Sequence, residues 1–393
     1  MSKALILNCG SSSVKFKLFT IKNNKVGTEL SSGLVDGIKL DHCLIEIKTL
    51  DQKFSTNKKI KSHSEAVEHL LEQLIKLKIV KEFNEIKFVG HRVVHGGEKF
   101  TKPIIITKAV IKDLQKVSEL APLHNPANLA GIEACSKSLP HCRQVAVFDT
   151  AFHQTLPEKA YLYSLPAKYH TQHKIRRYGF HGISHQFVTQ EAIKLLKKKN
   201  SKIISCHLGN GSSITCSRNG NSLDTTMGFT PLEGLIMGTR CGSIDPAIVF
   251  HLAENLKMPL QEIKELLLKN SGLKGLSGIS SDMRKIREAS LKKDKRALLT
   301  IDILAYQIAK YCAGYLATLN GLDALVFTGG MGEKAYYLRK KICKYLEFYG
   351  IKLNIHANTA SEPLISDKKS STKIFVIPTN EELEIARQSL HLS

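Results

Sequence analysis

Nothing in this 393-residue chain approaches the apolar run needed to cross a bilayer. Met1-Ser2-Lys3 leads into only a few apolar residues before Asn8 and Gly10, too few for a secretory leader. Neither membrane insertion nor export is expected, and the cytoplasm is the default. Paired cysteines are also missing. The nine cysteines, an odd number at irregular intervals, include no Cys-x-x-Cys, which argues against a disulfide framework or a thiolate zinc site. Acidic residues are scarce, 35 Asp and Glu against 57 Lys and Arg, for a formal net charge of +22. The lysines are spread along the chain instead of forming one arm with interleaved aromatics. The excess therefore reads as solvated faces and an anionic substrate, with no specific nucleic-acid partner. No low-complexity linker divides the chain, although its length suits two domains that each bury a core.

Against those absences one pattern occurs twice. Ala4 to Leu7 runs into Asn8-Cys9-Gly10-Ser11-Ser12-Ser13 and then Val14-Lys15-Phe16-Lys17-Leu18-Phe19. Ile203-Ile204 runs into His207-Leu208-Gly209-Asn210-Gly211-Ser212-Ser213 and then Ile214-Thr215-Cys216. An apolar run, a Gly/Ser turn and an alternating run predict strand, tight turn and strand. Glycine lets backbone N–H groups converge on an anion and serine hydroxyls add donors, so each turn suits phosphate, although each also suits an ordinary hairpin bend. The pair, with Lys15 just past the first turn, points to two related domains holding a nucleotide between them.

The rest of the chain alternates in the manner of layered α/β domains. An amphipathic helix from Ser64 carries Val67, Leu70, Leu71, Leu74 and Ile75 on one stripe, with Ser62 and Glu65 as a capping box. Phe88 to His95 predicts a strand ending at Gly96-Gly97, and Val145 to Phe148 another ending at Asp149. Ser184 opens a helix towards Lys199, and a Gly/Thr/Pro-rich loop spans Leu223 to Pro246. A long helix fits Ile301, Leu304, Ala305, Ile308, Cys312, Tyr315, Leu316 and Leu319. It leads to the strand Ala324–Phe327, the glycine turn Thr328-Gly329-Gly330-Met331-Gly332, and a further anion or nucleotide site. Ile374 to Ile377 reads as a last strand, and Thr379 to Glu382 as the capping box of a terminal helix.

Several segments together resemble the acetokinase family of the sugar kinase, Hsp70 and actin superfamily. They are Leu7 to Lys15, Gly90 to Gly97, Pro122-Leu123-His124-Asn125-Pro126, Phe148 to His153, Arg177 to Gly182, His207 to Gly211, Met237-Gly238-Thr239-Arg240 and Thr379-Asn380-Glu381-Glu382. The resemblance covers essentially the whole chain. It implies two duplicated actin-like (ribonuclease H-like) α/β domains with a cleft between them. Residues 1–150 plus 382–393 would form the acyl-substrate and metal-side lobe, and residues 151–381 the nucleotide-binding and dimerisation lobe of a homodimer. Three positions depart from the family pattern: Cys241 and Ser243 stand where serine and aspartate are more usual, and Lys334 where asparagine is.

The implied reaction is reversible, direct in-line transfer of a phosphoryl group from ATP to acetate, giving acetyl phosphate and ADP. It requires magnesium, with manganese as a substitute. Such transfer gathers several negative charges, so cations must neutralise and align them. Arg92 and Arg240 suit this because a guanidinium fork meets carboxylate or phosphate oxygens in two parallel bonds, though spacing alone favours a surface or structural ion pair for each. By resemblance His181 donates to the phosphoryl oxygens, with His124 in support. A core histidine is the alternative, and a zinc site with His185 lacks the glutamate of His-Glu-x-x-His. Asp149 is the remaining catalytic candidate, expected to orient magnesium and its waters, since acetate is already ionised at neutral pH.

Asn8 and Glu381 are the implied metal residues; the alternatives are a turn asparagine and a carboxylate on a helix first turn. Lys15, the stretch His207, Leu208, Gly209, Asn210 and Gly211, the trio Asp282, Met283 and Arg284, and the turn Gly330, Met331, Gly332, Glu333 and Lys334 would contact ATP. Asp282 also suits a helix N-cap. Arg92, Val94, Leu123, Phe180 and Pro231 would bind the acyl group. One methylene in such an apolar pocket discriminates by about 1 to 3 kcal/mol, so propionate is the alternative substrate. A nucleotide-binding filament protein without phosphoryl transfer is the alternative from another class.

Overall fold

The computed structural model describes residues 2–122 and 124–392. The chain forms two compact units, Met1–Phe152 with Asn380–Ser393, and His153–Thr379.

The first unit is built on an eight-stranded sheet of β1 (Lys3–Cys9), β2 (Ser13–Lys22), β3 (Lys25–Asp36), β4 (Cys43–Thr49), β5 (Lys53–Lys58), β6 (Ile86–Val93), β7 (Ile104–Ile105) and β8 (Arg143–Phe148). Their order is β5-β4-β3-β2-β1-β6-β8-β7. Antiparallel pairing runs from β5 to β1, whereas β1, β6 and β8 are parallel. β1 and β6 read as near-continuous apolar runs because parallel strands are covered on both faces. One face packs on the helices His63–Lys76 and Asn125–Ser138 through Val67, Leu70, Leu71, Leu74, Ala134 and Cys135. On the other, the helix Glu381–Leu390 lies so close to Gly90 that a Cβ there would meet Ile385 and Ser389 within 3 Å.

The second unit carries a five-stranded sheet of β9 (Lys202–Leu208), β10 (Ser212–Arg218), β11 (Asn221–Thr225), β12 (Ala324–Thr328) and β13 (Lys373–Val376), in the order β11-β10-β9-β12-β13. β9, β12 and β13 are parallel, and the β9-β10-β11 ladder is antiparallel. This repeats the β3-β2-β1-β6-β8 order of the first unit, so the two sheets share one topology. The core is formed by the 25-residue helix Lys295–Leu319, whose Ile301, Leu304, Ala305, Ile308, Cys312, Tyr315 and Leu319 make a buried stripe at helical spacing. Asp294 caps its first turn through Ala297 N at 2.7 Å, and Asn320 in the left-handed region ends it.

Local expectations hold in part. Ser62 caps the helix at His63 by accepting from Glu65 N at 3.1 Å. The terminal helix differs from the reading. Its cap is Asn380, which accepts from Leu383 N at 3.2 Å, whereas the Thr379 hydroxyl pairs with Ser184 Oγ at 2.8 Å. A tertiary hydroxyl partner has taken the residue that local spacing nominated. β6 stops at Val93, two residues before the expected end, because the next two backbone N–H groups go to side chains: Val94 N to Asn128 Oδ1 at 3.0 Å and His95 N to Asn125 Oδ1 at 3.1 Å. The helix expected from Ser184 begins at Gly182, with His181 as its cap.

Candidate active site

In the first unit the C-terminal ends of β1, β6 and β8 and the first turn of the helix Glu381–Leu390 bring four polar residues together. Arg92 donates from Nε to Asp149 Oδ1 at 2.9 Å and from Nη2 to Asp149 Oδ2 at 2.5 Å, a two-pronged pair. Nη1 donates to Asn8 Oδ1 at 3.1 Å, and Glu381 Oε2 lies 3.8 Å from Nε. Asp149 is 1% exposed and its own N–H bonds Val93 O at 3.0 Å, which fixes the carboxylate to the β6 end. Burial works against the Arg92 charge, but Asp149 and Glu381 outweigh it and hold the guanidinium firmly protonated. Glu381 moves the other way. Burial, joined by the neighbouring Asp149 and Glu382 carboxylates and opposed by Arg92 and Lys15, pushes its carboxyl up to about 7.

Lys15 sits opposite Asn8 in the β1-β2 ladder, and through its influence on Glu381 it belongs to this group. Val94 is buried beside Asn128, and His124 holds the cap position of the helix Asn125–Ser138. Leu123 lies outside the described residues. Asn128 was not foreseen: Oδ1 accepts from Val94 N and Nδ2 donates to Cys9 O at 2.6 Å, stapling the end of β1 to the end of β6. An asparagine on a helix gives no local sign of such a role.

In the second unit the β9-β10 turn is the organising feature. A Cβ on Gly211 would stand 2.9 Å from Arg240 Nη2 and 3.1 Å from His181 Nε2, so glycine leaves room for both the guanidinium and the imidazole at this turn. His181 is held at φ 54°, a left-handed conformation that costs a non-glycine residue about 1 to 2 kcal/mol. Its ring stacks on His207 with centroids 4.4 Å apart. Arg240 donates from Nη1 to Pro231 O at 2.5 Å, and burial draws its pKa down without a facing carboxylate among the causes. Phe180, 2% exposed, directly precedes His181.

Residues of the same turn also line a pocket of about 590 Å³, within the range of small-ligand sites. Gly209 and Asn210, then Asp282, Met283 and Arg284, and finally Gly330, Met331 and Lys334 border it. Asp282 also caps its helix, accepting from Arg284 N at 2.9 Å, so both readings of that residue hold at once. Arg287 and Tyr337, not foreseen, add a guanidinium 4.4 Å over a phenol ring. Leu208 is fully buried and Gly332 packs over Cys206 O and Leu208. Glu333 turns back on its own turn, accepting from Gly329 N at 3.0 Å and Thr379 N at 3.3 Å.

A family model described as the acetokinase family matches residues 3–387. The chain belongs to the acetokinase family. It is 48% identical to an acetate kinase of Thermotoga petrophila, over 98% of both chains. Its fold superposes on a crystal structure of Porphyromonas gingivalis acetate kinase with a TM-score of 0.94 at 43% identity, covering 100% of each. A propionate kinase from Francisella tularensis gives a TM-score of 0.94 at 42% identity, covering 99% of each. Of the three departures from the acetokinase pattern, Ser243 closes the loop that carries Arg240. Its N–H bonds Gly234 O at 2.9 Å and its hydroxyl accepts from Gly234 N at 3.0 Å. Cys241 N bonds Leu267 O at 3.0 Å, and Lys334 brings an ammonium group to the pocket.

The residue that sequence reading missed most clearly is Arg339. On an amphipathic helix it resembles any solvated arginine, yet it has no exposed surface. It donates to Gly332 O at 2.7 Å, Glu333 O at 2.8 Å, Asn358 Oδ1 and O at 2.8 Å and Ser361 Oγ at 2.9 Å. Burial draws its pKa to about 10. Five bonds make it the anchor of the glycine turn after β12. Arg339→Met strips three backbone carbonyls, those of Gly332, Glu333 and Asn358, of their donor and is expected to cost roughly 3 to 5 kcal/mol in denaturant unfolding. It is also expected to raise the KM for nucleotide more than that for the acyl substrate; equal changes in both would contradict the anchoring role.

Proposed function

We propose that this chain is an acetate kinase that transfers the γ-phosphoryl group of ATP reversibly to acetate. The observation that carries the reading is the β9-β10 turn: its Gly209 and Asn210 border the 590 Å³ pocket and its Gly211 receives His181 and Arg240. A nucleotide lying along that turn has its base and sugar in the pocket and its phosphates towards Arg240 and His181. Arg240 and His181 then stabilise charge on the transferring group, which is where most of the rate enhancement in such chemistry comes from.

The acyl carboxylate is assigned to Arg92. Of the five N–H groups of a guanidinium, three go to Asp149 and Asn8, which leaves two for substrate oxygens. Acetate needs no base, being ionised at neutral pH. Asp149, with both oxygens accepting from Arg92, is suited to holding that arginine and carrying negative charge, not to shuttling a proton. Val94, Leu123, Phe180 and Pro231 are assigned to the acyl methyl, and His124 to supporting His181.

Asn8 and Glu381 would hold magnesium, with Asp149 orienting it and its waters. The donor set fits: a carboxyl group lifted to about 7 by burial and neighbouring carboxylates marks a place short of positive charge. Among the described residues no three His, Cys, Asp or Glu side chains converge as a protein-only cage. That suits an ion which keeps several waters and shares substrate phosphates. When bound, magnesium neutralises phosphate oxygens.

Acetohydroxamate is expected from acetate, ATP, hydroxylamine and magnesium, and chelation should abolish it. Arg92→Ala and Arg240→Ala, each shown to be folded, should turn over about 10²-fold or more slower. Near-normal turnover in both would reject their roles. The Francisella relative favours propionate as a second substrate, so kcat/KM for the two acids is the accompanying comparison, with acetate expected to be the higher.

A second copy of the chain is the expected partner. The helix Ala247–Glu254 in the second unit buries none of its residues. Ile244, Ile248, Phe250, Leu256 and Leu260 around it are exposed, an apolar display that marks interaction surfaces. Light scattering should give a dimer for the native chain and a monomer for Phe250→Glu; a native monomer would refute the assignment.

A further inference from the structure

Behind His181 runs a closed line of hydrogen bonds to which the proposed transfer assigns no part. His181 Nδ1 lies 2.9 Å from Ser213 Oγ, Ser213 Oγ 2.7 Å from His185 Nε2, and His185 Nδ1 2.7 Å from Ser205 Oγ. Ser205 Oγ is 3.4 Å from Thr215 O, a carbonyl that can only accept. His185, Ser205, Ser213 and Thr215 are each 0% exposed, so water does not intervene.

Each serine has one proton and a neutral imidazole has one N–H, so the polarity of the whole line is set by its far end. With the Ser205 hydroxyl donating to Thr215 O, His185 Nδ1–H donates to Ser205. The Ser213 hydroxyl then donates to His185 Nε2, and Ser213 Oγ is left to accept from His181 Nδ1–H. All four contacts are hydrogen bonds. Reversing the line leaves Ser205 Oγ and Thr215 O facing each other lone pair to lone pair, one bond fewer in a dry site.

From this we infer that Ser213 and His185 are positioning residues that keep the proton of His181 on Nδ1, so that its Nε2 donates to the phosphoryl group only as imidazolium. The inference rests on the proposed role of His181. Burial, with His153 and His207 adding to it, holds His185 well below the usual histidine range, which keeps it neutral and gives the line a single polarity. Among the described residues, the His181 ring is faced by His207 stacked on it, by His185 through Ser213, and by Arg240 at Gly211. None of the three changes the count of protons along the line while His185 stays neutral. The left-handed backbone at His181 serves the same geometry, since it aims Nδ1 into the sheet at Ser213 while Nε2 meets the turn at Gly211.

The test is a long-range proton–nitrogen correlation spectrum of the full chain labelled with 15N-histidine, assigned by the signals missing in His181→Gln and His185→Gln. In the neutral rings, Nδ1–H with a bare Nε2 is expected for both His181 and His185; Nε2–H on either would overturn the inference. Ser213→Ala should let neutral His181 take the Nε2–H tautomer, which donates without a second proton, so its kcat should stay level where the native kcat falls as rising pH removes the second proton of His181, with KM unchanged. Ser213→Thr should restore both the native tautomer and the native pH dependence. A Ser213→Ala variant with native tautomer and native pH profile of kcat would also overturn it. If His181→Gln turned over normally, the role of His181 in the proposed reaction would fall, and the spectrum of the native chain would still decide the tautomer.

Discussion

One shared guanidinium organises the first unit. Arg92 leaves β6 near its C-terminal end and ties Asn8 from the end of β1 to Asp149 from the end of β8, within reach of Glu381 at the start of the terminal helix. Parallel strands put these ends on one edge of the sheet, where open α/β sheets bind ligands. Without the arginine, a buried Asp149 beside Glu381 would lose its nearest counter-charge, and burial, with the Asp149 and Glu382 carboxylates, still raises the Glu381 pKa against the pull of Arg92 and Lys15.

The second unit uses the same strand order for a different charge pattern. Its first hairpin turn brings an imidazole and a guanidinium up to a bare glycine backbone. The supports lie beneath: Ser213, His185 and Ser205 behind His181, the Pro231 carbonyl and Ser243 loop closure around Arg240, and Arg339 under the glycine turn after β12. Duplicating one topology gave two equivalent turns, and residue choice at those turns gave each a different set of charged side chains.

Much of this was legible in the sequence because hairpins, glycine turns and the long apolar stripe are local patterns. The Gly/Ser turns revealed the duplication, and the residues around them supplied the candidates that cluster in each unit. What escaped depends on partners distant in sequence. Thr379 looked like a cap until Ser184 claimed its hydroxyl, and β6 ends early because Asn125 and Asn128, some thirty residues on, intercept its next two N–H groups. His181 sits at φ 54° for reasons held in β10. Arg339 and Asn128 carry no motif at all, since a buried anchor and a solvated side chain share the same helical spacing until the tertiary neighbours are known.

The central claim is that Arg92 works by its planar fork as well as by its charge, with two arms on Asp149 and others left for the acyl carboxylate. Arg92→Lys keeps the cation and removes the fork. Steady-state turnover of that folded variant with saturating acetate and ATP is the direct measurement: a loss of about 100-fold or more is expected, and turnover near that of the native chain would contradict the account.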